Sequence, residues 1–159
     1  MNITALEEYG LRCLLRVAEN APGEAISAQA IADKEGLSIS YAQKMLRVLS
    51  KAGLVESRRG VQGGFYLAAP PEEITVGDAI RALGGIFQVE DICDRHTGEL
   101  EACAHRCNCT IRPVWAHISK FVVQTLDAIS LADLLNDESQ IVQHLEKSLP
   151  HREHGVSPG

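Results

Sequence analysis

Apolar residues recur at steps of three and four through Leu6, Gly10, Cys13, Leu14 and Val17, which places them on one face of a helix. Thr4-x-x-Glu7 is a capping box: the threonine oxygen accepts an early helix amide and Glu7 reaches back, so the helix should open there and run to about Glu19. Ala21-Pro22-Gly23 breaks the pattern, and Ser27 then caps a short helix carrying Ala30 and Ile31 that ends near Gly36. Ser38 caps SISYAQKMLRVLSKAG, whose Tyr41, Met45, Val48 and Leu49 form an inward stripe while Ser40, Gln43, Lys44, Arg47 and Lys51 face outward. Leu54 to Arg59 reads as a strand, Gly60 to Gly64 as a turn, and Phe65-Tyr66-Leu67 as a returning strand that closes before Pro70-Pro71. Thr75-x-x-Asp78 opens another capped helix through Leu83, ended by Gly84-Gly85.

Helix, short turn, helix is the pattern of a helix-turn-helix unit, whose second helix enters the major groove by its amino-terminal part. A polar helix face alone is usually just solvated. A hairpin directly after such a helix, with two arginines and a glycine-bearing tip, reads instead as a wing. The expected DNA-contacting set is therefore Ser38, Ser40, Tyr41, Gln43, Lys44 and Arg47 on the helix, with Arg58, Arg59, Gln62 and Gly63 in the wing.

The second half of the chain has a different texture. From Cys93 to Cys109 it shows no apolar periodicity, whereas TIRPVWAHISKFVVQTLDAIS carries a stripe through Ile111, Val114, Trp115, Ile118, Phe121, Val122 and Leu126 over about five turns. That stripe is too apolar to stand alone. Ser130 to Leu135 is a further short helix, Asp137 to Leu149 a last amphipathic one, and PHREHGVSPG a loose tail. The fold expected is mainly α with a small β-hairpin. Residues 1–83 form a winged helix-turn-helix domain, 84–109 a cysteine-rich segment, 110–136 a long helix for pairing two heads plus the short helix, and 137–159 a C-terminal helix and tail.

Charge changes the picture only once it is divided. The 159 residues carry a net −6, which looks wrong for a DNA binder, but residues 34–59 hold six bases against two acids, +4, while residues 60–159 hold seven against fourteen, −7. A basic stripe on an acidic body suits binding one face to phosphates. No apolar run approaches the roughly 18 residues that span a bilayer, and MNITALEEYG carries acids where a signal peptide carries bases, so a cytoplasmic protein without membrane partners is expected.

Four of the five cysteines fall within the seventeen residues CDRHTGELEACAHRCNC, with gaps of nine, three and one. In a reducing cytosol this argues for metal or redox chemistry rather than a disulfide framework, because thiolates ligate iron-sulfur clusters and zinc and can order a segment that has no face to pack. Cys13, on the first helix's apolar stripe, reads as a small core residue. Glu8 reads on residue chemistry alone as a solvated first-turn acid. No nucleophile-base pair, phosphate-binding glycine loop or HExxH motif suggests an enzyme.

GLSISYAQKMLRVLSKAGLVESRRGVQGGFYL, the cysteine segment and the TIRPVW after it together resemble the family of bacterial winged-helix repressors that includes the iron-sulfur regulator IscR and the nitric-oxide sensor NsrR, over roughly residues 1–136. The resemblance implies cluster ligands at Cys93, Cys103 and Cys109, with Cys107 an additional thiol able to replace Cys103. Arg112 stands where the IscR type has a histidine ligand, and a guanidinium cannot ligate. The related members that use a first-helix carboxylate instead point to Glu8 of the partner subunit. The resemblance also assigns the apolar helix to dimerisation. It implies a homodimeric regulator, a repressor of palindromic double-stranded operators, that senses redox state, nitric oxide or iron-sulfur supply through a two-iron or four-iron cluster. A zinc-stabilised or thiol-switched repressor is the alternative within that class, and a small iron-sulfur electron carrier the alternative outside it.

Overall fold

The computed structural model describes residues 3–60, 63–85, 96–105 and 108–148. Cys93, Cys107 and Gln62, and the tail from Leu149, lie outside the described residues. The elements run α1 (Ala5–Ala18), α2 (Ala28–Glu35), α3 (Ile39–Lys51), β1 (Val55–Arg58), β2 (Gly64–Leu67), α4 (Val76–Ala82), α5 (Arg112–Asp127), α6 (Leu131–Leu134) and α7 (Glu138–Ser148). This is the mainly helical fold with one antiparallel hairpin that the pattern predicts.

Local chemistry sets the helix starts. Thr4 and Glu7 close the expected capping box, and the hydroxyls of Ser27 and Ser38 accept the amides of Ala30 and Tyr41. Gly36 ends α2 in the left-handed region at φ 66°, the conformation that lets the chain turn into α3 within three residues. Cys13, Leu14 and Val17 from α1 meet Ile31 from α2, Met45, Leu46 and Leu49 from α3, and Val55 from β1 in one core. The buried face of α3 is Ala42, Met45, Leu46 and Leu49. The predicted inward Tyr41 and Val48 are only half-buried on its flank, because Ala42 and Leu46 complete the turn-by-turn contact with α1 and α2.

The hairpin pairs Glu56 with Tyr66 and Arg58 with Gly64, one residue shorter at each end of β1 than expected. It is also tied to the segment before α2. Ile26 and Phe65 exchange two backbone hydrogen bonds of 2.9 and 2.8 Å. Gly64 permits that approach, since a Cβ there would lie 2.5 Å from the Ile26 carbonyl oxygen.

A second short bridge joins the start of α4 to the start of α6. The Val76 N–H donates to the Ile129 carbonyl and the Leu131 N–H to the Ile74 carbonyl, both at 2.8 Å, so Thr75 and Ser130 lie side by side. Each also closes a capping box, with Asp78 and Asp133 respectively. Ile74, Ile129 and Leu131 are buried beneath the bridge. Arg81 adds a fork, reaching Asp78 at 2.7 Å on α4 and Asp127 at 2.8 Å on α5. None of α5's residues is buried: Val114, Trp115, Ile118 and Phe121 of the apolar stripe, with Ile111 at its cap, are 39–58% exposed. No helix among the described residues is long and apolar enough to cross a membrane.

Candidate nucleic-acid interface and metal centre

α2, the turn at Gly36 and α3 hold the outward residues of α3 clear of the core. Ser38, Ser40, Lys44 and Arg47 are exposed and Gln43 is half-buried. Among the described residues, no hydrogen bond or ion pair claims the side chains of Gln43, Lys44 or Arg47, so they are available to a ligand. Ser38 is committed at its hydroxyl to the cap and lies 3.2 Å from the Ser40 hydroxyl. Tyr41 packs edge-on against Tyr9 of α1, ring centroids 5.9 Å apart, and the Arg12 guanidinium covers the Tyr9 ring at 5.5 Å.

In the wing, Arg58 and Arg59 are exposed, and Gly63 lies in the turn, its amide bonded to the Gly60 carbonyl at 2.9 Å. The Arg58 guanidinium rests over the Tyr66 ring at 5.3 Å, and the Tyr66 hydroxyl donates to Glu56 at 2.6 Å. That bond to Glu56, a carboxylate that stabilises the protonated phenol, pushes the Tyr66 hydroxyl above its usual range. The sequence reading missed Tyr9 and Tyr66 as supports. Tyr66 was findable from hairpin register, which sets it opposite Glu56, whereas the contact of Tyr9 with Tyr41 joins two helices and leaves no sequence signal.

At the end of α2, the buried Glu35 carboxylate is held by Arg12 at 2.5 Å and by Arg16, both on α1. Arg16 also reaches Glu19 at 2.5 Å. This network, absent from the sequence reading, locks α1 to α2.

The described residues between Cys93 and Cys109, 96–105 and 108–109, contain turns and bends but no helix or strand. Cys103 and Cys109 are half-buried free thiols, and Cys13 is a fully buried one. Burial, then the charge of Glu35, push the Cys13 thiol up to about 11 against the opposing pull of Arg12, as befits a core residue. At the start of α5, Ile111 offers no side-chain cap, and the Arg112 N–H donates to the Cys109 sulfur at 3.3 Å. The last cysteine thus takes the place of a capping group. Glu8 is exposed on α1. Its neighbour Glu7 is buried, closes the Thr4 cap and lies against Gly85, where a Cβ would come within 1.7 Å of the Glu7 carboxylate. The described residues contain no group of three or more histidine, cysteine or acidic side chains arranged for a metal ion.

A helix-turn-helix closed by a hairpin wing, with a free polar face on its second helix, defines a winged-helix DNA-binding regulator. The chain belongs to the Rrf2 family: residues 3–137 match that family, described as iron-dependent transcriptional regulators. Protein rrf2 of Nitratidesulfovibrio vulgaris strain Hildenborough is 34% identical over 154 residues, which cover 97% of this chain and 100% of that protein. Among solved structures, T. potens IscR aligns with TM-score 0.67 and 30% identity, covering 95% of this chain and 93% of that one. CymR, the global cysteine regulator of B. subtilis, aligns with TM-score 0.68 and 31% identity over 86% of this chain and 99% of its own.

Proposed function

We propose that this transcriptional regulator is a homodimeric repressor whose affinity for a palindromic operator is set by an iron-sulfur cluster held in residues 84–109. The ligands are Cys93, Cys103 and Cys109, with Glu8 of the partner subunit as the fourth; Cys107 is the alternative to Cys103. Gln43 reads bases, while Lys44, Arg47, Arg58 and Arg59 meet phosphates. The observation that carries this reading is the bond from the Arg112 amide to the Cys109 sulfur, which makes the end of the cysteine segment part of the first turn of α5. The donor chemistry fits, since Cys103 and Cys109 are free, half-buried thiols that suit soft metal centres. Bound there, a cluster supplies a centre that responds to oxidation or nitric oxide. The chain's own residues supply the rest: α5 offers an uncovered apolar stripe for a second copy, and Arg81 fixes α5 to α4 in the head.

A thiol-switched repressor is the second reading, favoured by the likeness to a global cysteine regulator. Anaerobic purification followed by Mössbauer and native mass spectrometry separates the two. The first reading expects a coloured protein, colourless Cys93→Ala and Cys109→Ala variants, and at least a tenfold difference in operator affinity between cluster-bound and apo protein, about 1.4 kcal/mol of coupling. Glu8→Ala should keep the fold and blunt that difference. Colourless anaerobic protein, or equal affinities with and without the cluster, overturns it.

A further inference from the structure

The outward face of α3 is polar with one exception. Ile39, the first residue of the helix, stays 43% exposed while Ala42, Met45, Leu46 and Leu49 are closed into the core. A single exposed apolar side chain is ordinary on a protein surface. This one is set apart by its place. Ile39, Gln43 and Arg47 recur every four residues and so share one face of α3, with Ile39 at the amino-terminal end that enters the groove first. Ser38 and Ser40, both exposed, flank it, and neither Gln43 nor Arg47 spends its side chain on a bond among the described residues. Isoleucine is also a poorer helix former than alanine or lysine, and Ile39 is not among the residues of the buried core.

We propose that Ile39 is a base-reading residue that packs against the C5-methyl group of a thymine in the major groove. The methyl is the one apolar feature among the major-groove edges, so an apolar side chain at the tip of a reading helix selects thymine from the other bases. Four residues of helix advance about 6 Å, or roughly two base-pair steps of 3.4 Å. The thymine therefore lies within about two base pairs of the base read by Gln43. This rests on α3 being the helix that enters the groove. It adds to that reading the identity of a second base and the group on it that is recognised.

The test uses the full-length, anaerobically purified protein and an operator selected by it from a random duplex pool. Each thymine is then replaced symmetrically by deoxyuridine, which differs only by the missing methyl, and affinities are measured at one salt concentration. At one symmetric position the wild type should bind the deoxyuridine duplex about fourfold more weakly per half-site, the fold-change for ~0.8 kcal/mol of methyl burial. Ile39→Ser should bind the thymine and deoxyuridine duplexes alike and keep the wild-type salt slope. Wild type indifferent to deoxyuridine at every position, or Ile39→Ser as sensitive as wild type, overturns the proposal while α3 remains the reading helix. A pool from which no sequence emerges sinks the placement of α3 in the groove, and the role of Ile39 with it.

Discussion

Glu35 shows how one side chain can fix two helices. Its carboxylate is 1% exposed, between guanidinium groups that are 43% and 35% exposed. Burial pushes this carboxyl up, but the hydrogen bonds from Arg16 and Arg12 outweigh it and hold the group below its ordinary value. A depressed folded-state value means that the stabilisation is fully present above the unfolded value of about 4.3 and is lost as pH falls through the folded one. Glu35→Gln should lower stability at pH 7 by about 1–3 kcal/mol, limited because the freed arginines can hydrate. It should also flatten the acid limb, and an unchanged loss of stability between pH 5 and 3 in urea melts would refute the assignment. Cys13 gives a second expectation at this scale. With its thiol at about 11, it should resist alkylation of the folded, cluster-free protein at pH 8 while Cys103 and Cys109 react, and should label only once denaturant is added. Labelling of Cys13 at the same rate as the other two would contradict its burial.

At the scale of elements, the recognition helix and the wing do different work. Gln43 has a free amide suited to pairing with adenine, so Gln43→Ala should relax preference at one symmetric base pair by about 1–3 kcal/mol. Arg59→Ala should weaken all sequences alike and reduce the salt slope by about one phosphate equivalent. Selection and salt titration distinguish them, and a changed consensus for Arg59→Ala would move that residue from backbone to base. The caps, the turn glycines and the apolar periods of these elements were legible in the sequence because each acts within a few residues. The inward face of α3 was read one flank over, on Tyr41 and Val48, because the bulk of tyrosine outweighed the small Ala42 that sits in the core. The pairings of Ile26 with Phe65 and Thr75 with Ser130 were not legible: a bridge of one residue pair leaves no period.

For the whole molecule, the apolar stripe of α5 is the feature that a single chain leaves unfinished. Phe121→Glu should yield a folded monomer in sedimentation measurements and lose most operator affinity, since only a dimer spans two half-sites about 34 Å apart. A dimer that survives the substitution would place the pairing surface elsewhere. The reading of the candidate centre stopped at a comparable boundary. Thiol spacing pointed to soft-metal chemistry, but a fourth donor such as Glu8 of the partner subunit depends on the assembly, which one chain's pattern does not encode.

The paired caps at Thr75 and Ser130 also bear on how freely the cysteine segment can change. The head closes with α4, whose Ala79 and the following Leu83 are buried in its core, and the chain is back beside the start of α4 at Ile129, where two backbone bonds join the two points. The entropy of closing a flexible loop grows only with the logarithm of its length, roughly 0.6 kcal/mol for each doubling. By that relation, adding or removing one or two of the nine residues between Cys93 and Cys103 changes the closure entropy by less than about 0.6 kcal/mol. Insertions or deletions there should therefore scarcely move the melting temperature, which would leave the spacing of the thiols free to suit the proposed cluster.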